Sequence, residues 1–423
     1  MSNDLGLPPR RELPDDVRAR LRAEVRRGMA SRRPSRAWYA AAAAAVVLLA
    51  AGAVVATQVI RQPVATPGPA PAPDPGPGDL TLDTQVATTA LDRCWAAVQS
   101  AGKADRVPPR AEWVPLFTEV LQTDAVVAAT AAGKPLFCET TETTVTLSDP
   151  GATPARTPGT GIGLLLHSPT GTVGGVTDRG AENAYLTART LSGESVPGSV
   201  RSSPVTGQFV TMMRTDPART TMTLERAPFQ ASTVLAAAPP PLLSVTDRPL
   251  TADRTSPAGR ALGDCLAAAE EEVVPDAAAF APGPLLQNDR YQVVTGRRDG
   301  RVVVCATQPD YGRAGKTRSR AYPEMVGPQT PPVRVVPAET LGMAEAGGDR
   351  EKWQTPFVLA LPLTAAKATI DFGIGTSAEV GVVDGMALTW LPKNIARQPE
   401  TKVHVVVRDA QDRTLYDGLL SLF

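Results

Sequence analysis

The chain has 423 residues and carries 43 basic and 43 acidic side chains, so its net charge at neutral pH is zero. The charges are unevenly distributed, because residues 1–36 hold ten arginines against five acids and the remainder holds 33 basic against 38 acidic residues. The slight negative charge of the long remainder argues against nucleic-acid binding there, since such binding depends on neutralising phosphates.

The first predicted element is a short basic amphipathic helix within residues 1–36. Apolar residues recur at every fourth position from Leu13 to Met29, and Pro14 favours the start of a helix. Two interpretations follow: the helix anchors the chain on anionic membrane lipid, or its apolar stripe docks a cytoplasmic protein partner. The side chains predicted to contact lipid or this partner are Val17, Leu21, Val25, Arg18, Arg22 and Arg26.

Residues 37–61 are predicted to form a single transmembrane helix. From residue 40 to residue 60 only Thr57 and Gln58 are polar, and a helix of this length spans the roughly 30 Å hydrocarbon core of a bilayer. The arginine-rich side of a span stays in the cytoplasm, so residues 62–423 are predicted to lie outside the cell membrane. A cleaved signal peptide is the alternative, but the apolar run exceeds the usual length of about 7–15 residues.

A stalk and two modules are predicted outside the membrane. Residues 62–79 contain seven prolines, a composition that favours an extended polyproline stalk of roughly 55 Å. About 340 residues remain, which suits two cores better than one. The predicted boundaries are 80–236 for the first module, 237–256 for a Pro-rich linker and 257–423 for the second module.

An internal repeat supports the division into two modules. A shift of 167 positions places Trp113 on Phe280 and Cys138 on Cys305 without a gap. Each module opens with a pattern typical of a short helix that buries one apolar face, and a hairpin follows, with its turn at residues 299–300 in the second module. The predicted fold class is α+β, predominantly β, with two tandem, related, disulfide-stapled modules after one transmembrane helix.

The later parts of the modules match less clearly. The pattern aligns Arg214 and Arg219 with Arg408 and Arg413. Valines alternate along residues 403–407 in the manner of a strand. Residues 310–348 are rich in Pro, Gly and Arg and are predicted to form a loop.

All four cysteines lie in the region predicted to be outside. Each module holds one pair, separated by 44 and 40 residues, with one member on the helix and the other at the end of the hairpin. An oxidising compartment therefore predicts the disulfides Cys94–Cys138 and Cys265–Cys305. Zinc binding is the alternative, but the sequence contains neither C-x-x-C nor H-x-x-x-H spacing.

The sequence gives no reason to predict a catalytic residue, a cofactor or a metal site. His167 follows a leucine run and His404 lies among valines, which are positions typical of structural histidines. Glycines at alternate positions in residues 159–163 precede a strand pattern, so they predict a turn instead of a phosphate loop. The acidic run 270–272 is predicted to form a solvated face. Paired carboxylates that meet only in the fold leave a hydrolase as an open alternative.

The layout of basic inner segment, single helix, Pro-rich stalk and disulfide-bearing outer region resembles that of actinobacterial single-pass membrane proteins, anti-sigma-like or uncharacterised. Arginine outnumbers lysine 36 to 7, which fits a GC-rich genome of that kind. The resemblance implies a regulator whose inner segment binds a sigma factor, although the zinc-binding H-x-x-x-C-x-x-C motif of anti-sigma domains is absent.

Three functions follow as hypotheses. The first is non-catalytic binding, in which two modules on a membrane anchor bind an envelope component, another protein or a small ligand outside the cell. The second is signalling, in which the inner helix transmits the occupancy of the outer modules to a cytoplasmic partner. The third is an envelope hydrolase that uses paired carboxylates.

Overall fold

Strands make up most of the regular structure in the computed structural model, which describes residues 80–178, 184–190, 195–226, 232–269, 272–310, 315–325, 332–342, 353–395 and 401–422. This confirms the predicted α+β class and its predominance of β structure. The predicted cytoplasmic helix, transmembrane span and stalk, residues 1–79, lie outside the described residues. In the part that is described, no helix combines the length and the hydropathy needed to cross a membrane.

Two α-helices are described, and each begins at a polar capping residue. Helix α1 (Thr84–Ser100) follows Asp83, whose carboxylate accepts hydrogen bonds from two backbone N–H groups of the first turn, both at 3.0 Å. Helix α2 (Pro257–Ala268) follows Ser256, whose hydroxyl oxygen accepts one such bond at 3.0 Å. The caps satisfy backbone donors that have no partner within the helix, and both predicted opening helices are confirmed.

The strands of the first half, residues 80–256, form three antiparallel sheets. In chain order they are β1 (Trp113–Leu121), β2 (Asp124–Ala131), β3 (Lys134–Thr140), β4 (Thr144–Leu147), β5 (Ala155–Arg156), β6 (Ile162–His167), β7 (Thr172–Thr177), β8 (Ala184–Thr190), β9 (Ser195–Ser199), β10 (Gln208–Met212), β11 (Thr220–Arg226), β12 (Thr233–Val234) and β13 (Leu243–Thr246). The sheets have the orders β1-β2-β3-β4-β13, β10-β7-β6-β5 and β12-β11-β8-β9.

The strands of the second half, residues 257–422, also form three antiparallel sheets. In chain order they are β14 (Ala281–Gln287), β15 (Gln292–Arg298), β16 (Arg301–Pro309), β17 (Thr317–Met325), β18 (Arg334–Val336), β19 (Pro356–Ala360), β20 (Ala365–Asp371), β21 (Ser377–Gly381), β22 (Met386–Trp390), β23 (Lys402–Asp409) and β24 (Thr414–Ser421). The sheets have the orders β14-β15-β16-β17, β18-β19-β22 and β21-β20-β23-β24.

The two halves share most of their strand order. Strands β1 to β4 and β14 to β17 are both meanders that follow a helix. The sequence of neighbours β10-β7-β6 corresponds to β22-β19-β18, and β12-β11-β8-β9 corresponds to β24-β23-β20-β21. Two differences stand out: β5 extends the second sheet of the first half, and β13 extends its meander. Each has no counterpart among the described strands of the second half.

Both predicted disulfides are present. Cys94 on α1 bonds to Cys138 on β3, and Cys265 on α2 bonds to Cys305 on β16, with Cα–Cα distances of 6.3 and 6.1 Å. Each bond joins the opening helix to the third strand of the meander behind it. All four cysteine residues are buried, so the bonds lie within the core that each helix covers.

Each half stacks its elements in the same layers. In the first half α1 buries Leu91 and Val98 against one face of the meander. The other face of that sheet, through Phe137, packs on the sheet that contains β6 and β7. A further core that includes Phe209 lies between this second sheet and the third. Corresponding cores in the second half lie under α2, between the meander and β19, and around Phe357. The described residues all belong to one compact unit.

Two predictions about irregular segments were wrong. The predicted linker 237–256 contains β13, in which Leu243 pairs with Leu147 of β4, because its apolar residues complete the meander core. The predicted loop 310–348 contains β17 and β18. Strand β17 runs along the full length of β16. Its half-buried Arg318 and Arg320 alternate with the buried Ser319 and Ala321, so its charged composition resembles that of a loop although it is a strand.

Candidate binding grooves and the charged junction

The second half contains an open groove, here called the C-terminal groove, with a volume of about 510 Å³. It lies where the sheet that ends in β18 meets the sheet that ends in β24, so both of its long walls are edge strands within the described part of the chain. Its lining is mainly apolar and includes Val333, Val335, Phe357, Leu391, Tyr416 and Leu420.

The alternation of β24 builds one wall of the C-terminal groove. Tyr416 and Leu420 lie on the inward face of β24 and pack on the core around Phe357. Leu419 lies on the opposite face of the strand and is 62% exposed. Gly418 leaves space for the Tyr416 ring, because a Cβ atom at this glycine would lie 2.8 Å from the tyrosine Oη atom. The wall therefore presents an aromatic ring and leucine side chains beside a free strand edge.

The first half contains a pocket between its second and third sheets, here called the N-terminal pocket, with a volume of about 570 Å³. It is bounded by β6, by β11 and by the chain that follows β12. Of these elements, β6 has β18 as its counterpart in strand order, and β18 lines the C-terminal groove. Its lining is again mainly apolar and includes Leu164, His167, Pro217, Met222, Leu235 and Pro240.

His167 supplies a polar group in the wall of the N-terminal pocket. Its Nε2 atom is buried and has no hydrogen-bond partner among the residues that the structure describes. Burial lowers the pKa of the imidazole, against the opposing effects of a backbone hydrogen bond with Thr215 and the charge of Asp216. In a ring that is neutral at pH 7, Nε2 can donate or accept a hydrogen bond with a ligand, according to the tautomer. The interpretation of His167 as a structural residue stays a prediction.

His404 has a different environment. It lies on β23, as predicted, and its Nε2 atom is 2.7 Å from Oδ1 of Asp417 on the neighbouring strand β24. Both side chains are exposed, so the pair stands on the solvent face of the sheet. An exposed pair of this kind contributes little to stability.

Charged side chains from both halves meet at a buried site, here called the charged junction and formed by Asp124, Glu142, Arg214, Asp276, Arg298 and Arg301. Its centre is Asp276, which has a left-handed backbone with φ of 57° and a side chain that is fully buried. The Asp276 carboxylate accepts hydrogen bonds from the hydroxyls of Thr141 and Thr143, both at 2.6 Å. Because these threonines lie between β3 and β4, the bonds join the second half to the first.

Two arginines of the second half complete the link. Arg301 Nη2 lies 3.0 Å from Glu142 Oε2 and 3.2 Å from Asp276 Oδ2. Arg298 forms a two-pronged ion pair with the same Glu142, and its Nε–Oε2 distance is 2.7 Å. Arg214 of the first half pairs with Asp124 at 3.1 Å. Guanidinium groups are well suited to such shared contacts, because they offer five donors in one plane.

Burial and pairing shift the pKa values of the junction in opposite directions. Burial raises the pKa of Asp124 to about 6, although the charges of Arg214 and Arg301 oppose this shift. Burial also opposes ionisation of Asp276, but hydrogen bonds from Thr141, Thr143 and Arg301 outweigh it and lower the pKa. The hydrogen bonds from Arg298 lower the pKa of Glu142.

The acids that meet in the fold do not line either pocket. Asp124, Glu142 and Asp276 face arginines at the junction, whereas the linings of the C-terminal groove and the N-terminal pocket contain no carboxylate. The hydrolase hypothesis requires facing acids in an accessible cleft, and neither pocket supplies them. Within the described ranges, no group of three His, Cys, Asp or Glu residues is arranged to hold a metal ion.

The other residues considered in the sequence have the following environments. Residues 159–163 form a turn with positive φ at Gly159 and Gly161 and lead into β6, as predicted. Glu272 is half-buried, and burial raises its pKa, so the prediction of a solvated face is wrong for this residue. Glu270 and Glu271 lie outside the described residues. The predicted lipid or partner contacts, Val17, Leu21, Val25, Arg18, Arg22 and Arg26, also lie outside them.

Comparison with known proteins adds little. No family model matches the chain, and no curated protein matches it. Among solved structures, the chain is similar to a Ca²⁺-stabilized adhesin that helps an Antarctic bacterium reach out and bind ice, with 14% identity over 70% of this chain and 80% of that one and a TM-score of 0.15. A TM-score this low carries no argument about fold or function.

Proposed function

We propose that this chain is a single-pass membrane protein that presents two related, non-catalytic binding units outside the cell. The apolar span 37–61, with the arginine-rich segment before it, supports an inside N-terminus. The two buried disulfides support an oxidising location for residues 80–423. On this proposal the membrane is the anchor, and the outer units do the binding.

The shared architecture supports descent of the two units from one ancestral module. The repeat in the sequence covers the opening helix and the meander, and the common strand order extends through the two further sheets. The disulfide also joins the same elements in both halves. A strand order shared over three sheets, with a disulfide between the same two elements, is more simply explained by duplication than by two independent origins.

The observation that carries the binding function is the apolar pocket that each half has between its second and third sheets. Concave apolar sites of about 300–1,000 Å³ are typical of ligand-binding surfaces, and both pockets fall in this range. A pocket between the second and third sheets of both units is expected if the module binds its target between these sheets. The target we propose is an envelope component or another protein.

Co-sedimentation tests this function. The full-length chain in lipid nanodiscs would be mixed with isolated cell-wall sacculi and with outer-surface proteins, and the bound fraction would be measured for wild type, L419R and V205R. Leu419 lines the C-terminal groove, whereas Val205 is an apolar residue that is 89% exposed elsewhere. We expect retention of wild type and V205R on at least one fraction and loss of retention for L419R. Equal behaviour of the three proteins would contradict a binding role for the groove.

The second candidate function is transmembrane signalling. It is favoured by the four-residue apolar periodicity from Leu13 to Met29 beside a basic face, which is the pattern of a helix that docks on another surface. On this alternative, the inner helix would bind a cytoplasmic partner in an anti-sigma-like manner. The two candidates share the outer binding units and differ in whether the inner segment has a protein partner.

A further inference from the structure

We propose that the C-terminal groove binds an extended peptide segment of a partner protein, which pairs as an added strand with the free edge of β18. This inference rests on the binding function proposed above and names the chemical class of its partner. The peptide would lie antiparallel to β18 and would direct alternate apolar side chains into the groove.

The first half shows what occupies the corresponding edge. There β5 pairs antiparallel with β6, through the partners Ala155–Leu164 and Arg156–Gly163. In the second half, β19 is the sole described neighbour of β18, the counterpart of β6. The connection that carries β5 spans residues 148–161, whereas the connection between β17 and β18 spans the shorter stretch 326–333. Among the described strands, the second unit thus has the acceptor edge without the strand that covers it in the first.

The dimensions of the groove suit an extended peptide. Residues 333–338, which comprise β18 (Arg334–Val336) and its flanks, all line it, and an extended chain of this length spans about 20 Å. The opposite wall is β24. Because the groove runs between two edge strands, it is an open trough and not a closed cavity. A trough with a backbone edge on one side offers hydrogen bonds to a peptide backbone and apolar contacts to every second side chain.

The charges around the groove indicate an apolar recognition sequence. Arg334, the charged residue in the lining, has its Nη2 atom 3.3 Å from Glu324 Oε2 on β17. Its charge is therefore already compensated, and no carboxylate lines the groove. The exposed Leu419 side chain extends the apolar surface toward solvent, where it would contact an outward-facing apolar residue of the peptide.

The experiment selects peptides and then tests how their backbone binds. A random dodecapeptide phage library would be panned on the full-length protein in lipid nanodiscs, and binding of the selected peptides would be measured by fluorescence anisotropy. We expect apolar residues at every second position of the selected sequences. We expect L419R to bind at least tenfold more weakly than wild type, and V205R, the matched control, to bind within twofold of wild type.

N-methylation of the peptide backbone supplies a readout that does not depend on how the variants fold. Each added methyl group removes one backbone N–H of the peptide. In a strand that pairs along one edge, every second N–H points to the partner strand, so methylation at these positions should lower the affinity of the peptide at least tenfold. Methylation at the positions between them should lower it less than twofold. Failure to select a peptide that depends on Leu419, the absence of this alternation, or displacement of every selected peptide by a fatty acid would overturn the strand proposal. Retention on envelope fractions that still depends on Leu419 would then leave the general binding function standing.

Discussion

Replacing Arg301 by methionine removes the guanidinium that three carboxylates share at the charged junction. Glu142 would still pair with Arg298, and Asp124 would still pair with Arg214. Asp276, which is fully buried, would keep only neutral hydrogen-bond donors from the threonines and the backbone. Leaving one buried charge without its counterion costs about 3–5 kcal/mol, so R301M should lower the melting temperature by roughly 5–10 °C.

The matched control is R156M, because Arg156 pairs with Asp178 at 2.8 Å but both side chains are about half exposed. An exposed pair contributes about 0–1 kcal/mol, so this variant should melt close to wild type. Thermal and urea unfolding of the full-length proteins, followed by circular dichroism, would compare them. The double variant R301M/D276N removes the stranded charge and should recover at least half of the loss. Equal costs for R301M and R156M, or additive costs in the double variant, would refute the reasoning.

Three further predictions concern pH, the disulfides and the inner helix. The raised pKa of Asp124, about 6, means that the folded state binds an extra proton between pH 4 and 6. The contribution of this group to stability should therefore fall by about 3 kcal/mol as the pH rises through this window, and urea unfolding across that range should show a slope that D124N makes less steep. Loss of the disulfide in C94A/C138A should cost roughly 4 kcal/mol of unfolding free energy through loop-closure entropy, as measured by urea unfolding. If the inner segment only anchors, protease protection should report unchanged insertion for a variant in which serine replaces Val17, Leu21 and Val25.

Each of these predictions has a contradicting result. The pH argument is wrong if wild type and D124N have the same slope between pH 4 and 6. The disulfide argument is wrong if the double alanine variant unfolds at the same urea concentration as the oxidised wild type. The simple anchor is wrong if residues 1–36 bind one cytoplasmic protein in a pull-down and the serine variant does not, since that outcome favours signalling.

Local patterns in the sequence were sufficient to predict the opening helix, the hairpin and the disulfide of each half. The helices show a 3.6-residue apolar repeat and polar caps, and the turn at 299–300 has its first residue, Asp299, at φ of 46°. The cysteines could be paired because the shift of 167 positions keeps Cys138 on Cys305. These features depend on neighbours in the chain, which is why one sequence reveals them.

The later strands were harder to align. The sequence pattern matched Arg214 with Arg408 and Arg219 with Arg413, but the strand order separates these positions. Arg214 and Arg219 lie between β10 and β11, whereas Arg408 belongs to β23 and Arg413 to the turn that follows. Alternation has a period of two, so a strand pattern matches another at many shifts and does not fix the register.

The charged junction could not be predicted from the sequence. Asp124 and Arg301 are each the first residue of a strand whose following residues are apolar. A charged residue next to an apolar run was the one feature of the sequence that indicated a buried ion pair. Their partners, however, lie far away in the chain, as Thr141 and Asp276 do. Which charges meet depends on how the two halves pack, and no periodicity records that. The C-terminal groove and the N-terminal pocket could not be predicted for the same reason, since each lies between two sheets.

Protease protection combined with thiol labelling tests the central proposal most directly. Spheroplasts that express the full-length chain with an N-terminal and a C-terminal tag would be treated with protease and then probed for each tag. The proposal predicts digestion of the C-terminal tag, protection of the N-terminal tag until lysis, and maleimide labelling of all four cysteines only after reduction. Protection of the C-terminal tag in sealed spheroplasts, or four reactive thiols before reduction, would contradict the proposal of an outer pair of disulfide-bonded binding units.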